Sequence, residues 1–413
     1  VWGMSDLITL GDVLLGIEAG KSFQTSERRA DENELGVLKV SAVTWSAFRP
    51  DEAKSVNDYE PEEHHRVRSG DLLISRANTR ELVGAVVLVE KDYPFRLLSD
   101  KTLRLIVDTE RAEKSYLLYA LRSAEAREHI EHFATGTSDS MRNIAQGVIT
   151  SIPITLPHIV TQRRIAARLK AQLAAVEEAR QAAEEEAKEV KALRLAIYRE
   201  AFADIVPVGV PPVFDVAPDG WRWAKLSDLA RLESGHTPSR PRSDWWGGNI
   251  SWVSLTEIRA LDGRWVDGTQ IKTNEKGIAN SAARILPRGT VCFSRTASVG
   301  FVTIMGQPMA TSQDFANWVC DDDLDPDFLM HALIRARTEL RALATGATHK
   351  TIYMPTLQAF HICLPDRSRQ ERIVKLLKAQ LAATEQIREA VSTSYAEIER
   401  LPARMLAQAF EES

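Results

Sequence analysis

The stretch TQRRIAARLKAQLAAVEEARQAAEEEAKEVKALRLAIYREAFAD (Thr161–Asp204) returns 208 residues later as RQERIVKLLKAQLAATEQIREAVSTSYAEIERLPARMLAQAFEE (Arg369–Glu412). The two copies align without gaps, 17 of 44 positions are identical, and LKAQLAA stands unchanged at Leu169–Ala175 and Leu377–Ala383. Neither copy contains glycine. Both are rich in Ala, Glu, Leu, Lys and Arg, and both follow an extended stretch that ends in proline, which is the composition and punctuation of a helix. Leu169, Val176, Ala183, Val190 and Ile197 recur every seven residues, as do Leu377, Val391, Ile398 and Met405. A sustained seven-residue apolar repeat marks a coiled-coil seam, and these are the expected helix–helix or partner-contact residues. About 40 residues at 1.5 Å each make a rod of roughly 60 Å. Pro402 is expected to end or kink the second helix. Two equivalent helices of one chain are expected to pack antiparallel, with globular units at opposite ends in pseudo-twofold relation.

Working outward from the helices, the flanking segments also correspond. LSDLARLESGHTPSR (Leu226–Arg240) echoes ITLGDVLLGIEAGKSFQ (Ile8–Gln24), and GTVCFSRTASVGFVTIMG (Gly289–Gly306) echoes GDLLISRANTRELVGAVVLVE (Gly70–Glu90). FLMHALIRARTELRALATGATHKTIYM (Phe328–Met354) echoes YLLYALRSAEAREHIEHFATGTSDSMRNI (Tyr116–Ile144), before the exits ITSIPITLP and LQAFHICLP. The expected organisation is a globular domain at 1–160, a helix at 161–204, a second globular domain at 205–368 and a helix at 369–413. Short β-branched and aromatic runs such as Val37–Trp45, Asp71–Ser75, Gly84–Val89, Ile250–Leu255 and Thr290–Ser294 read as strands. Residues 115–133 and 327–344 read as amphipathic helices. No steady βα alternation runs along either domain, so the fold class is α+β.

The chain has 413 residues, 44% hydrophobic and 26% charged, which fits a globular protein of several domains. Three cysteines without CxxC pairing exclude a disulfide framework and point to a reducing cytoplasm. No apolar run approaches the roughly 20 residues of a membrane span and no leader pattern opens the sequence, with Met4 the expected natural start. The net charge of −5 argues against coating nucleic acid by bulk charge, but not against local basic faces.

Catalytic motifs are missing from the pattern. GIEAGKS (Gly16–Ser22) has three residues before GK where a phosphate loop needs four. Asp325-Pro326-Asp327-Phe328 carries an acid where an adenine methyltransferase motif needs proline, and no GxGxxG occurs. Pro50-Asp51 sits too close to Glu52-Ala53-Lys54 for a metal-dependent nuclease. His64-His65 lacks zinc-ligand spacing, and no GxSxG is present. A non-catalytic chain is expected, with no catalytic residue and no metal.

The charge is uneven: Arg222–Arg295 holds 12 basic and 7 acidic residues. Within it lies SGHTPSRPRSDWWGGNISW (Ser234–Trp252), which sets Arg240 and Arg242 among Thr237, Ser239 and three tryptophans. Arginines beside hydroxyls and planar rings suit phosphate contact and bidentate reading of guanine, while the tryptophans equally suit a core. The first domain offers Lys21, Ser22, Gln24, Arg28 and Arg29 at the matching place, although residues 1–160 sum to −6. SRANTR (Ser75–Arg80) and SRTAS (Ser294–Ser298) put Arg76, Asn78 and Arg295 at strand ends, where an arginine serves DNA or its own domain with equal ease. TGTSDSMRN (Thr135–Asn143) and TGATHKT (Thr345–Thr351) are polar loops from which Arg142, Thr348, His349 and Lys350 could touch DNA.

With these features together, the chain resembles, end to end, the specificity subunit of Type I restriction-modification enzymes. The resemblance rests on the helices opening TQRRI and RQERI after ITLP and HICLP, the duplicated LKAQLAA, and the G-x-T-P…WWGG-x-I-x-W-V stretch. The TGxT-type loops fit as well. The first domain lacks the TP…WWGG stretch, and LGVLKVSAVTW partly fills its place. The resemblance implies two target recognition domains, each reading half of a bipartite site in double-stranded DNA, with the helices as a ruler. It also implies two docked modification (methyltransferase) subunits that bring S-adenosylmethionine, and restriction (translocase/nuclease) subunits that join them. No cofactor is expected on this chain. The alternatives are a coiled-coil adaptor that binds protein, or the same DNA reader in a modification-only defence complex against phage.

Overall fold

The computed structural model describes residues 6–23, 25–56, 59–212, 214–346 and 349–411. The fold is mixed α and β, and the chain divides into two compact units, Val1–Glu184 with Thr393–Ser413, and Glu185–Ser392. Each unit therefore owns one globular body and segments of both long helices.

The central sheet of the first unit runs Leu14–Ala19, Thr102–Val107, Leu72–Ser75, Val86–Leu88, with every pair antiparallel. The second unit repeats the order as Ala230–Ser234, Phe315–Cys320, Val291–Ser294, Val302–Met305, again antiparallel, and adds Trp265–Val266 in parallel at the edge. The central strands Leu72–Ser75 and Val291–Ser294 are buried at every position, because helices cover one face and a second layer covers the other. That second layer differs between units. It is a five-stranded sheet in the first and a three-stranded sheet around Trp246–Val253 in the second. The run Val37–Trp45 forms a strand only at Gly36–Leu38 and then turns through a 3-10 segment.

Each amphipathic helix expected before the exit is broken in two. Lys114–Ala120 is followed by Ala124–Phe133, and Pro326–Arg335 by Arg337–Ala342. Ser123 caps the second piece by accepting from the Ala126 amide at 3.3 Å, a local bond that competes with helix continuation. Asp325 caps its helix from the Phe328 amide at 3.0 Å, with Pro326 in the first turn where no N–H is missed.

The first long helix is Ile159–Ala201 and the second Arg367–Ile398. The second breaks before Pro402, and a separate helix covers Leu401–Glu411. Along the first, Leu169, Val176, Ala183, Val190 and Ile197 are all buried, while most of the residues between them are exposed. Along the second, Leu377 and Thr384 are buried and Val391, Ile398 and Met405 half-buried, so Thr384 fills the position the apolar series skips.

Each helix is clamped at its entry by a buried glutamine. Gln162 accepts from the Glu113 amide at 2.8 Å and donates to the carbonyls of Arg111 at 3.0 Å and Pro157 at 2.8 Å. Gln370 accepts from the Asp325 amide at 2.9 Å and donates to Asp323 at 2.9 Å and Pro365 at 3.0 Å. Both side chains are fully buried, so each amide satisfies three backbone groups that water cannot reach.

Each unit core also takes in the end of a repeat copy. In the second unit Phe202 packs on Phe328 with ring centroids 5.3 Å apart, next to Ile197, Leu377 and Val374. In the first, Phe410 packs on Tyr116 at 5.7 Å, next to Ile165, Leu169 and Ala409. Tyr198 lies beside them in the second unit, its hydroxyl 3.0 Å from His331 Nδ1. Burial pushes the imidazole of His331 down to about 4, against a smaller upward pull from Asp327. An unfolded chain with histidine near 6.5 therefore binds more protons than the folded one between those values. Stability is full above pH about 6.5 and falls as pH drops towards 4, by about 3 kcal/mol at most. His331→Gln should flatten this acid limb relative to wild type in denaturant titrations across that window.

Candidate nucleic-acid interface

In the second unit the path of Ser234–Trp252 begins with a forced glycine. A Cβ on Gly235 would stand 2.1 Å from the Ser312 carbonyl oxygen, so only glycine lets the two backbones touch. The next amide, His236, donates to the Thr311 carbonyl at 2.9 Å. Thr237 spends its hydroxyl on Gln313 and so fixes the loop. Ser239 is exposed, and its carbonyl accepts from Trp246 Nε1 at 3.2 Å. Trp252 is wholly buried, whereas Trp245 and Trp246 are half-buried, and Arg240 and Arg242 are exposed. Arg240 lies over Trp252 at 5.8 Å and Arg242 over Trp245 at 5.0 Å. Arg242 also pairs with Asp244 at 3.1 Å, which raises the arginine and lowers the carboxyl from their ordinary values. Arg240 instead faces an open groove of about 540 Å³ shared with Trp246, Gly247, Gly248, Gln270 and Lys272.

Gln270 and Lys272 were not legible as site residues in the sequence. They reach the groove because Ile250 pairs with Thr273 across an antiparallel register. A strand partner 23 residues away leaves no local signal.

The other two candidate segments of this unit meet. Thr296 bridges Thr351, the Ala297 amide donates to the Lys350 carbonyl at 2.9 Å, and the Ile352 amide to the Arg295 carbonyl at 2.8 Å. Arg295 aims Nε at the Gln313 carbonyl at 3.1 Å, so it is an internal brace joining this edge to the Thr237 loop. His349 and Lys350 are exposed at the tip. Gln24 and Thr348 lie outside the described residues.

The first unit repeats the backbone pattern with different charges. A Cβ on Gly20 would stand 2.0 Å from the Leu98 carbonyl oxygen, and the Lys21 amide donates to that same carbonyl at 3.3 Å. Ala77–Asn78 pairs with Met141–Asn143, which brings Asn78 and Arg142 onto one small sheet, and at its end the Ile144 amide donates to the Arg76 carbonyl at 3.0 Å. Asn78 is buried and gives its amide to the Val40 carbonyl at 2.9 Å and to Ser75 Oγ at 3.2 Å, so it faces inward and presents nothing to a ligand. Arg76 is exposed, while Arg142 donates to the Gly136 carbonyl at 2.9 Å and to Asp139 at 3.3 Å. Arg28 pairs with Glu34 and Asp31, and Arg29 with Asp51, so both are neutralised within their own unit. Glu34 is held down at about 2, first by the Ser55 hydroxyl, then by the Asp31 amide and Arg28. What stays open is a groove of about 380 Å³ rimmed by Lys21, Lys39, Lys54 and Lys101.

Residues 218–393 match the family described as Type I restriction modification DNA specificity domain. The HindI specificity subunit of Haemophilus influenzae is 21% identical over 88% of this chain and 93% of its own length. The chain is similar to the specificity subunits of Type I restriction-modification systems, and its residues 218–393 match that family's specificity domain. The EcoEI specificity subunit of Escherichia coli is 30% identical over 38% of this chain. The MjaIX subunit of Methanocaldococcus jannaschii is 26% identical over 39% of it. These two matches span only 27% and 38% of the relatives' own lengths. Among solved structures, one of a Type I restriction-modification complex covers 99% of this chain at 21% identity with a TM-score of 0.75. The HsdS subunit from Thermoanaerobacter tengcongensis covers 99% at 21% identity with a TM-score of 0.61. The matched stretch thus begins just before the strand Arg222–Lys225, contains the whole Arg240 groove, and runs into the second long helix. Among the described residues no cluster of His, Cys, Asp and Glu has a metal-binding arrangement, and no helix is long and apolar enough to cross a membrane.

Proposed function

We propose that this chain is the non-catalytic DNA reader of a Type I restriction-modification enzyme, each unit reading one half of a bipartite site. The single observation that carries the reading is that both units build the same surface. In each, a glycine pressed on a neighbouring carbonyl launches one loop, a strand-end arginine segment meets a polar TG loop, and a basic groove opens beside them. The side chains on that surface differ, as two readers of different sequences require. Domain boundaries at 160, 204 and 368 belong to this proposal, with target recognition domains at 1–160 and 205–368.

In the proposed assembly the two long helices pair antiparallel in pseudo-twofold relation and set the unread gap. The buried seven-residue series of the first helix, the partly buried one of the second and the shared use of both helices by each unit support this. Two methyltransferase subunits, carrying S-adenosylmethionine, dock on the helices, and restriction subunits join them in cytoplasmic defence against foreign DNA such as phage. One experiment separates the DNA reader from the protein-binding adaptor. After the methylated site has been mapped, duplexes carrying one intact and one scrambled half-site are titrated with the chain in complex with its methyltransferase. Arg240→Ala or Lys350→Ala should weaken binding through the second unit's half-site by roughly 5- to 150-fold, equivalent to about 1–3 kcal/mol, and leave the first half-site unchanged. An equal loss on both duplexes contradicts the assignment. Absence of any sequence preference in the wild type favours an adaptor.

A further inference from the structure

We infer that the second unit carries a seat for a DNA phosphodiester on Phe301, formed by Arg259 and Arg341 and stiffened by Arg337. The inference rests on the DNA-reading function proposed above and adds a contact made by none of the candidate DNA-binding residues named from the sequence.

The three guanidinium groups surround one ring, with Arg259 at 5.8 Å, Arg337 at 5.3 Å and Arg341 at 5.3 Å from the Phe301 centroid. Gly300 makes room for them. Its φ is +92°, and a Cβ there would stand 3.0 Å from Arg337 Cγ and 3.2 Å from Arg341 Nε. One carboxylate faces the three cations. Asp262 takes Arg337 Nη2 at 2.7 and 2.8 Å and also accepts from the Val302 amide at 2.9 Å, so its single charge is engaged by Arg337. Arg341 gives Nε to the Val299 carbonyl at 2.8 Å, which fixes its stem and leaves the outer fork free of any hydrogen bond among the described residues. Arg259 makes only the ring contact among those residues. Burial first, and then the neighbouring Arg337, hold Arg341 below the usual arginine range. Like charges gathered this way oppose one another until an anion arrives.

The first unit shows that the fold does not demand this charge. There Arg127 donates to the Val83 carbonyl at 2.6 Å, ahead of Gly84 with φ +81°, as Arg341 does to Val299 ahead of Gly300. Arg127 stacks on Trp45 at 5.3 Å, but Glu131 pairs with it at 2.7 Å and also faces Arg80 at 3.8 Å. The same structural arginine is neutralised in one unit, while in the other it gains two more cations. Two exposed forks beside an apolar ring suit the paired oxygens of a phosphodiester. The loop that carries Val299 and Gly300 is bonded through Ala297 to Lys350, so the seat continues the proposed reading edge. That continuity favours the DNA backbone over an acidic protein surface.

The test is the salt dependence of DNA binding by the chain in complex with its methyltransferase, on cognate and scrambled duplexes alike. Each lost phosphate contact lowers the slope of log K against log salt by about 0.9. Arg259→Gln should lower it by about one, Arg259→Gln with Arg341→Gln by about two, and Arg127→Gln not at all. Preference for cognate over scrambled DNA should stay as in wild type, and an unchanged unfolding midpoint verifies the fold of Arg259→Gln. An unchanged slope in that folded variant overturns the seat, as does weaker assembly with the methyltransferase at an unchanged slope. Because scrambled DNA reports the slope without any sequence preference, failure of the seat is distinct from failure of the reading function.

Discussion

Gln370→Ala should lower the unfolding free energy of the second unit by about 3–5 kcal/mol, far more than a polar truncation on a helix usually costs. Its amide holds the Asp325 N–H and the Asp323 and Pro365 carbonyls, and the side chain is fully buried. Truncation leaves all three backbone groups without a partner where water cannot replace it, at about 1–3 kcal/mol each before relaxation. Gln162→Ala should act in the same way on the first unit, through the Glu113 amide and the Arg111 and Pro157 carbonyls. Gln386→Ala, on the same long helix but exposed, should stay within about 0.5 kcal/mol of wild type. Tryptophan fluorescence in a denaturant titration serves for Gln370, because seven of the nine tryptophans lie between Trp221 and Trp318. A loss under 1 kcal/mol for Gln370→Ala would mean that the clamp is incidental to the helix entry.

The second large effect concerns the proposed ruler. In the first unit Tyr395 Oη donates to Glu184 at 3.3 Å, which marks the level at which the two helices meet there. Deleting one heptad from each helix around that level, Ala183–Glu189 together with Ala390–Ala396, keeps the seven-residue register of both. The paired rod should then shorten by about 10 Å. At 3.4 Å per base pair along one strand, the unread gap should shrink by about three base pairs. Methylation at the wild-type sites should be lost and should reappear at sites with the same half-sites and the shorter gap. Deletion from one helix alone breaks the register of the pair and should abolish activity at both kinds of site. Sequencing that detects methylated adenine reads all these outcomes directly.

Much of this architecture was legible because the chain repeats itself. The LKAQLAA pair, the seven-residue series and Pro402 gave the long helices and the break before Leu401. The mixture of α and β was legible in runs such as Leu72–Ser75 and Val291–Ser294, which are strands. The glutamine clamp could have been found, since Gln162 and Gln370 stand at the same place in both copies. Its meaning was hidden because its partners lie up to 51 residues away. The candidate site was legible in segments but not in chemistry. Nothing local says that Arg28 and Arg29 are neutralised by Glu34 and Asp51, or that Asn78 turns inward while Arg76 stays exposed. Gln270, Lys272, Arg259 and Arg341 escaped because sheet register and helix packing, not sequence neighbours, bring them to their places.

The central claim is that one chain reads two separated half-sites. The most direct measurement is a base-resolution map of adenine methylation in cells that express the chain with its methyltransferase, set against cells that lack the chain. The account predicts methylation that depends on the chain and falls in a single bipartite motif, two short specified halves around a fixed unspecified gap, with the second half alone changed by replacing residues 205–368. A single continuous motif, or a methylation pattern unaltered by removing the chain, would contradict it.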